Sequence, residues 1–409
     1  MTAGRVRVLA AFLSFGAFWG AWGVLVPELQ HQAHVDDGEL GVAVLMIGVG
    51  ALCSMRIAGT VVDRLGRPAT TWCVAVMAAA GFLPSLATSG ASLIGLLALT
   101  GAASGAMDVA VNALAVDEEA RTGSIMNAAH ACFSTAVVIS AMTTGVVLGS
   151  GVGPHGVLAG VSVIILAAAI TVHVLDRDAT VTARQSQGPG PRAAAWNRPL
   201  LLLGGLCALA YLVENAWQSW AAVLLRSAFG TSAEVSALGP AMFAASAAVG
   251  RAWGHRMLAG KPERDVLMGG ALVGATGTLL AALAPSAALT LAGVVIAGLG
   301  TSVCAPTILS LAGASTDRRS RASAISVVTT LGYSGFLVGP AAVGLAATAT
   351  SLRTSLVGVG VVAVILAACA ALIRTGTFDR PQPDPTMPAC ATPEEDGDTS
   401  ALNGTHPPS

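Results

Sequence analysis

Long apolar runs separated by short polar breaks make up most of the chain. A helix needs about 20 residues to cross a bilayer core of roughly 30 Å. On that rule twelve spans are predicted, at 7–29, 39–62, 69–88, 91–116, 124–149, 155–175, 199–222, 233–258, 265–284, 287–312, 322–349 and 353–374. The breaks make chemical sense: Asp36-Asp37-Gly38-Glu39 sets acids at the start of the second span, where the helix dipole favours them. The first run is too long for the apolar core of a signal peptide and lacks a cleavage site, so it reads as a span. Two stretches break the pattern. Residues 176–198 form a polar Pro/Gly-rich linker, and residues 375–409 a proline-rich acidic tail predicted to be disordered. The Asn403-Gly404-Thr405 sequon lies in that tail, which is predicted to be cytoplasmic, and reads as a chance match.

Composition places these runs in a membrane. Of 409 residues 54% are hydrophobic and 11% charged, against roughly a quarter charged in soluble proteins. The 48 glycines suit helices that pack backbone to backbone. A net charge of −1 gives no basic footprint for nucleic acid. The seven cysteines, six of them single within apolar runs, have neither zinc-ligand nor disulfide-framework spacing. His31 and His34 lack a third metal ligand.

Arginine sets the orientation. With Met1 inside, the inner loops and termini receive nearly all the Lys and Arg, including Arg5, Arg64, Arg67, Arg121, Arg256 and Arg374, while the outer loops receive Arg226 and Arg353. That bias places both termini in the cytoplasm and requires an even number of spans. The halves also repeat. Trp19 and Trp22 match Trp217 and Trp220; Arg121, Phe133 and Ser134 match Arg321, Tyr333 and Ser334; Arg64 matches Arg256. The fold class is therefore all-α membrane protein, twelve transmembrane helices in two pseudo-symmetric six-helix bundles. The units are 1–175, a linker at 176–198, 199–374 and the tail at 375–409. Parallel repeats of this kind place a transporter's site near midplane between the halves.

Polar residues inside spans are candidates for function. Glu214 reads as a proton-coupling or substrate-binding acid in the outer half of its span, with Trp217 on the same face; the alternative is a structural acid bonded to Asn215 or a neighbouring helix. Asp108 and Asn112 share one face of the fourth span at its inner third, with Arg56 and His130 at similar depth. Either a fixed Arg56–Asp108 ion pair holds the first bundle together, or that pair is a gate sensitive to protonation of Asp108 or His130. The four tryptophans fit interface anchors and cavity walls equally. Asp117, Glu118 and Glu119 are expected to face Arg121 or the Arg64/Arg67 turn.

The turn itself reads Gly59-Thr-Val-Val-Asp63-Arg64-Leu-Gly66-Arg67. Its G-x-x-x-D-R-x-G-R pattern resembles the loop between helices 2 and 3 of the major facilitator superfamily. Asp108-Val-Ala-Val-Asn112 with Met126, His130 and Ser134, the Glu214 to Trp220 stretch, and Leu331 to Pro340 resemble its fucose-permease-like branch. The resemblance implies alternating access, commonly proton-coupled, with Asp63 engaging the start of the eleventh helix near Arg321. Trp19 and Tyr333 join Glu214, Asp108, Asn112, His130 and Trp217 as candidate substrate or coupling residues. Gly59, Asp63, Arg64, Gly66, Arg67 and Arg56 form the candidate inner gate.

The expected function is secondary transport of a small solute, a sugar or related metabolite, across the plasma membrane by a monomer in the lipid bilayer. No cofactor is expected beyond the proton gradient. Sugar symporters of this type often carry an acid inside the first span, and none is present here. The alternatives are a proton-coupled drug or metabolite exporter and a membrane sensor on a transporter fold. An exporter would usually carry Gly-Pro in the fifth span, whereas Gly339-Pro340 is in the eleventh. No P-loop, H-E-x-x-H or nucleophile elbow points to an enzyme.

Overall fold

The structure is a computed structural model that describes residues 2–122, 125–176, 198–257, 261–315 and 321–372. Most of the predicted linker and all of the predicted tail lie outside the described residues. The described residues hold twelve helical spans long and apolar enough to cross a membrane. The first half comprises α1 (Ala3–Ala33), α2 (Asp37–Leu65), α3 (Arg67–Ala80), α4 (Gly90–Thr122), α5 (Met126–Gly149) and α6 (Pro154–Asp176). The second comprises α7 (Arg198–Phe229), α8 (Ala233–Met257), α9 (Glu263–Leu283), α10 (Ala287–Thr301), α11 (Cys304–Ala314), α12 (Arg321–Ala349) and α13 (Leu352–Ala371).

Helix starts are set by local chemistry. Asp36 and Glu39 form a reciprocal capping box at α2, the Glu39 N–H donating to Asp36 Oδ1 at 2.8 Å. Ser286 and Ser351 cap α10 and α13. Gly66 alone joins α2 to α3, with φ of 65°, a left-handed backbone that favours glycine. Pro68 then opens α3, where its missing N–H costs nothing. The third span ends in a 3-10 turn, Leu83–Leu86. The tenth span, predicted as continuous, is broken at Ser302-Val303 into α10 and α11.

The repeat is visible in the packing. In the first half α1 lies on α5 and α6, α2 on α4, and α3 on α6; in the second α7 lies on α12 and α13, α8 on α10, and α9 on α13. Glycines allow the closest of these approaches. A Cβ at Gly16 or Gly20 of α1 would strike the α5 carbonyls of Phe133 or Val137, and one at Gly335 of α12 would strike Ala208 of α7.

An even span count leaves both ends of the described chain on one side, termed here the terminus side. The halves meet along the far side. Gly41 of α2 faces Gly344 of α12, where a Cβ on Gly344 would lie 2.9 Å from the Gly41 Cα. Gly145 of α5 faces Ala237 of α8. At the far ends of α1 and α7, Glu28 pairs with Arg226 at 2.8 Å. Toward the terminus side the same faces of α2, α5 and α12 are exposed at Leu52 and Arg56, at His130, and at Thr330 and Ser334.

Candidate functional site

Between the halves lies a cavity of about 380 Å³. The first half lines it with Trp19, Trp22, Ser104, Asp108, Phe133 and Ser134; the second with Tyr211, Glu214, Gln218, Arg251, Tyr333 and Phe336. Asp108 and Glu214 stand at matching depth, about 21 and 24 Å from the terminus-side ends of α4 and α7 at 1.5 Å per residue. This corrects the expected separation of Glu214 in the outer half and Asp108 at an inner third. Both helices exceed 30 residues, so boundaries cut to membrane thickness misjudged their midpoints.

The two acids differ in partners. Glu214 Oε1 receives Arg251 Nη2 at 2.5 Å and, more weakly, Gln218 Nε2 at 3.4 Å. Among the described residues, Asp108 Oδ1 receives only the neutral amide of Asn112, at 3.0 Å, and that amide also donates to the Asp108 carbonyl at 2.9 Å. The expected Arg56–Asp108 ion pair is not formed among the described residues. Arg56 is exposed on the terminus-side continuation of the cavity face, and the fixed pair is absent from this conformation. Sequence reasoning also missed Arg251. The signal was available: Arg251 sits nearly as far into α8 as Arg56 does into α2.

Aromatic placement breaks the repeat. Trp19 and Trp22 line the cavity, whereas Trp217 is fully buried and donates Nε1 to Thr278 of α9 at 3.0 Å. Trp220 donates to the Pro340 carbonyl at 3.2 Å. Trp217 is therefore corrected from candidate site residue to packing residue of the second half. The face of α7 turned to the cavity carries Tyr211, Glu214, Asn215 and Gln218. Asn215 does not bond Glu214; its Nδ2 donates to the Phe336 carbonyl at 2.5 Å. Tyr211 and Tyr333 stack at 6.1 Å, and Phe336 meets Tyr333 edge-on at 6.3 Å. His130 is exposed and packs edge-on against Phe12 at 5.1 Å.

The terminus-side candidates are less uniform. Gly66 makes the expected sharp turn, but a Cβ at Gly59 would meet only Val109, at 4.0 Å, so close packing does not require glycine there. Arg64 is exposed. The side chains of Asp63, Arg67 and Arg321 lie outside the described residues, and with them the expected engagement of the eleventh span. Glu118 is buried and meets Arg7 at 3.8 Å and Arg121 at 3.7 Å. Glu119 accepts the N–H groups of Ile125 and Met126 and so caps α5. Glu118 and Glu119 thus tie α4 to α1 and α5, and the expected contact with Arg121 is formed.

The family model described as Major Facilitator Superfamily matches residues 8–262 and 257–395. The chain belongs to that superfamily. It is 31% identical to an uncharacterized MFS-type transporter of Yersinia pestis over 381 residues, covering 90% of this chain and 95% of the relative. It is also 31% identical to the membrane protein MosC of Rhizobium meliloti over 385 residues, covering 91% and 90%. Among solved structures, the nucleoside transporter NupG superposes with a TM-score of 0.74 at 14% identity, covering 90% of this chain and 98% of that one. A bacterial homolog of the human lysosomal transporter Spinster, inward-facing and occupied, gives 0.71 at 16% identity, covering 90% and 95%. At such identities the likeness is one of fold. The protein is a multi-pass membrane protein with the fold of secondary transporters, which are generally not enzymes.

Proposed function

We propose that this protein is a proton-coupled secondary transporter of the fucose-permease-like branch, moving a sugar or related small metabolite across the plasma membrane by alternating access. One observation carries the reading: a central cavity holds an acid with no cationic partner among the described residues, Asp108, opposite a neutralised Glu214–Arg251 pair. A carboxyl group without a cationic partner, set between two halves that move against each other, is placed to load and release a proton as access alternates. Stacked Tyr211 and Tyr333 offer an apolar face for a sugar ring. Asp108, Glu214, Gln218 and Ser104 supply hydrogen-bonding groups that fix its orientation. The arginine bias supports cytoplasmic termini, which makes the terminus side the inside and the far-side seam a closed outer gate. In this reading the protein acts as a monomer and needs no cofactor beyond the proton gradient.

The aromatic wall of Trp19, Trp22, Phe15 and Phe336 around Asp108 supports a second reading, export of a hydrophobic cation in exchange for protons. Proteoliposomes holding the full chain and a pH-sensitive dye separate the two. Sugar-driven proton entry abolished by Asp108→Asn supports the first reading. Proton release driven by hydrophobic cations, also abolished by Asp108→Asn, supports the second. Proton movement unaffected by Asp108→Asn overturns the role given to this residue.

A further inference from the structure

The halves differ on their outer surface. In the second half α12 lies on α13, but their counterparts α5 and α6 make only slight contact with each other while both lie on α1. A groove of about 640 Å³ runs between them, walled by Ile139 and Val147 of α5 and by Gly160 and Ile164 of α6, with Leu13 and Ala17 of α1 as its floor. It is separate from the central cavity, which takes Phe133, Val137 and Ala141 from another face of α5. Glycine opens it: a Cβ at Gly160 would meet nothing within 4 Å.

No charged side chain lines the groove. Among its polar residues, Cys132, Thr135 and Ser140 each donate to a backbone carbonyl, of Leu9, Ala131 and Ala17, and so turn hydrocarbon outward. Thr143 and Thr144 complete the polar set. The α5 wall runs from Cys132 to Val147, ~22 Å, and the α6 wall from Gly156 to Ile164, ~12 Å, at 1.5 Å per residue. Both begin two residues from the far-side helix ends at Gly149 and Pro154. The hydrocarbon of one leaflet is about 15 Å deep, half the bilayer core, so the groove matches the far-side leaflet.

Its position says what fills it. The groove is continuous with the lipid-facing surface, where Ile139, Val146 and Val163 are exposed. Water does not settle in an apolar space, and an empty groove would forfeit dispersion contacts along both walls. A helix of a second copy would need 8–10 Å from each neighbouring axis. The far ends do not give that room, because Val152 alone bridges them: its N–H donates to the Val147 carbonyl at 3.3 Å, and its side chain stands against Gly156. A hydrocarbon chain one methylene wide does fit.

We propose that this groove is a binding site for one acyl chain of a far-side-leaflet phospholipid, seated lengthwise between α5 and α6 on α1. Full-length protein in liposomes containing phosphatidylcholine with a diazirine on one acyl chain tests it, with labelled residues mapped by peptide mass spectrometry. Thr135, Ile139, Thr143 and Ile164 should carry several-fold more label than Val361 and Ile365, which are exposed on α13. Gly160→Phe, which fills the groove, should lower groove labelling to the α13 level and leave α13 unchanged. Wild-type labelling no heavier in the groove than on α13 overturns the site, and this comparison needs no variant to fold. Heavy labelling that persists in folded Gly160→Phe overturns the seat between α5 and α6. Disulfide-linked dimers formed through Ile139→Cys, with loss of lipid label there, overturn the lipid in favour of a second copy of this chain.

Discussion

Single residues decide what the central cavity can do, and identity alone did not reveal their roles. Glu214 and Trp217 are three positions apart on α7, yet one side chain enters the cavity and the other packs on α9. Three residues advance a helix by about 300°, so the two need not share a face when a crowded bundle divides the helix surface. Trp217→Phe should remove the hydrogen bond to Thr278 and cost about 1 kcal/mol; Trp217→Ala should cost about 3–5 kcal/mol through the void it leaves. Thermal unfolding in detergent reads both. Solute-driven proton movement per folded molecule should stay at wild-type level in Trp217→Phe. Glu118 gives a second case at this scale. Replacing it with Leu removes the acid that faces buried Arg7, with an expected loss of about 3–5 kcal/mol. A fall in melting temperature with solute-driven proton movement per folded molecule unchanged would confirm a structural role.

Between whole elements, glycine governs how closely the halves approach. The α2–α12 seam closes because Gly41 and Gly344 place backbone against backbone, and a side chain on Gly344 would collide with the Asp37 carbonyl and the Gly41 Cα. Gly344→Val should therefore force the far ends apart and reduce the population of the conformation described here. Spin labels at Thr88 and Thr350, both exposed at far-side helix ends, should report a longer distance in Gly344→Val than in the wild type. An unchanged distance distribution would mean the seam yields elsewhere. Which glycines serve this purpose was not legible from sequence: Gly59 of the signature turn has room for a side chain, while Gly41, outside any motif, has none.

Across the whole molecule, the conformation depends on a balance between the two sides of the cavity. The Glu28–Arg226 pair adds to the far-side closure but is partly exposed, Arg226 at 42% and Glu28 at 23%. Pairs of this kind contribute about 0.2–1 kcal/mol. Glu28→Gln should thus shift the ratio of the two conformations by only about 1.4–5-fold, read by the same spin-label pair. High salt should weaken the wild-type distance preference and leave that of Glu28→Gln nearly unaltered.

Hydropathy alone determined the twelve spans, because a bilayer tolerates polar backbone only when a helix satisfies it internally. The internal repeat and the signature turn further determined the superfamily. Capping chemistry at Asp36 and the glycine turn at Gly66 were also readable, since both depend on residues close in sequence. Tertiary structure decided the rest: that Asp108 stands with Asn112 and not with Arg56, that Arg251 clamps Glu214, and that the tryptophan repeat divides between cavity and core. These outcomes depend on helix rotation and on where long helices cross. Both are set by packing between segments far apart in the chain, and neither leaves a local trace in it.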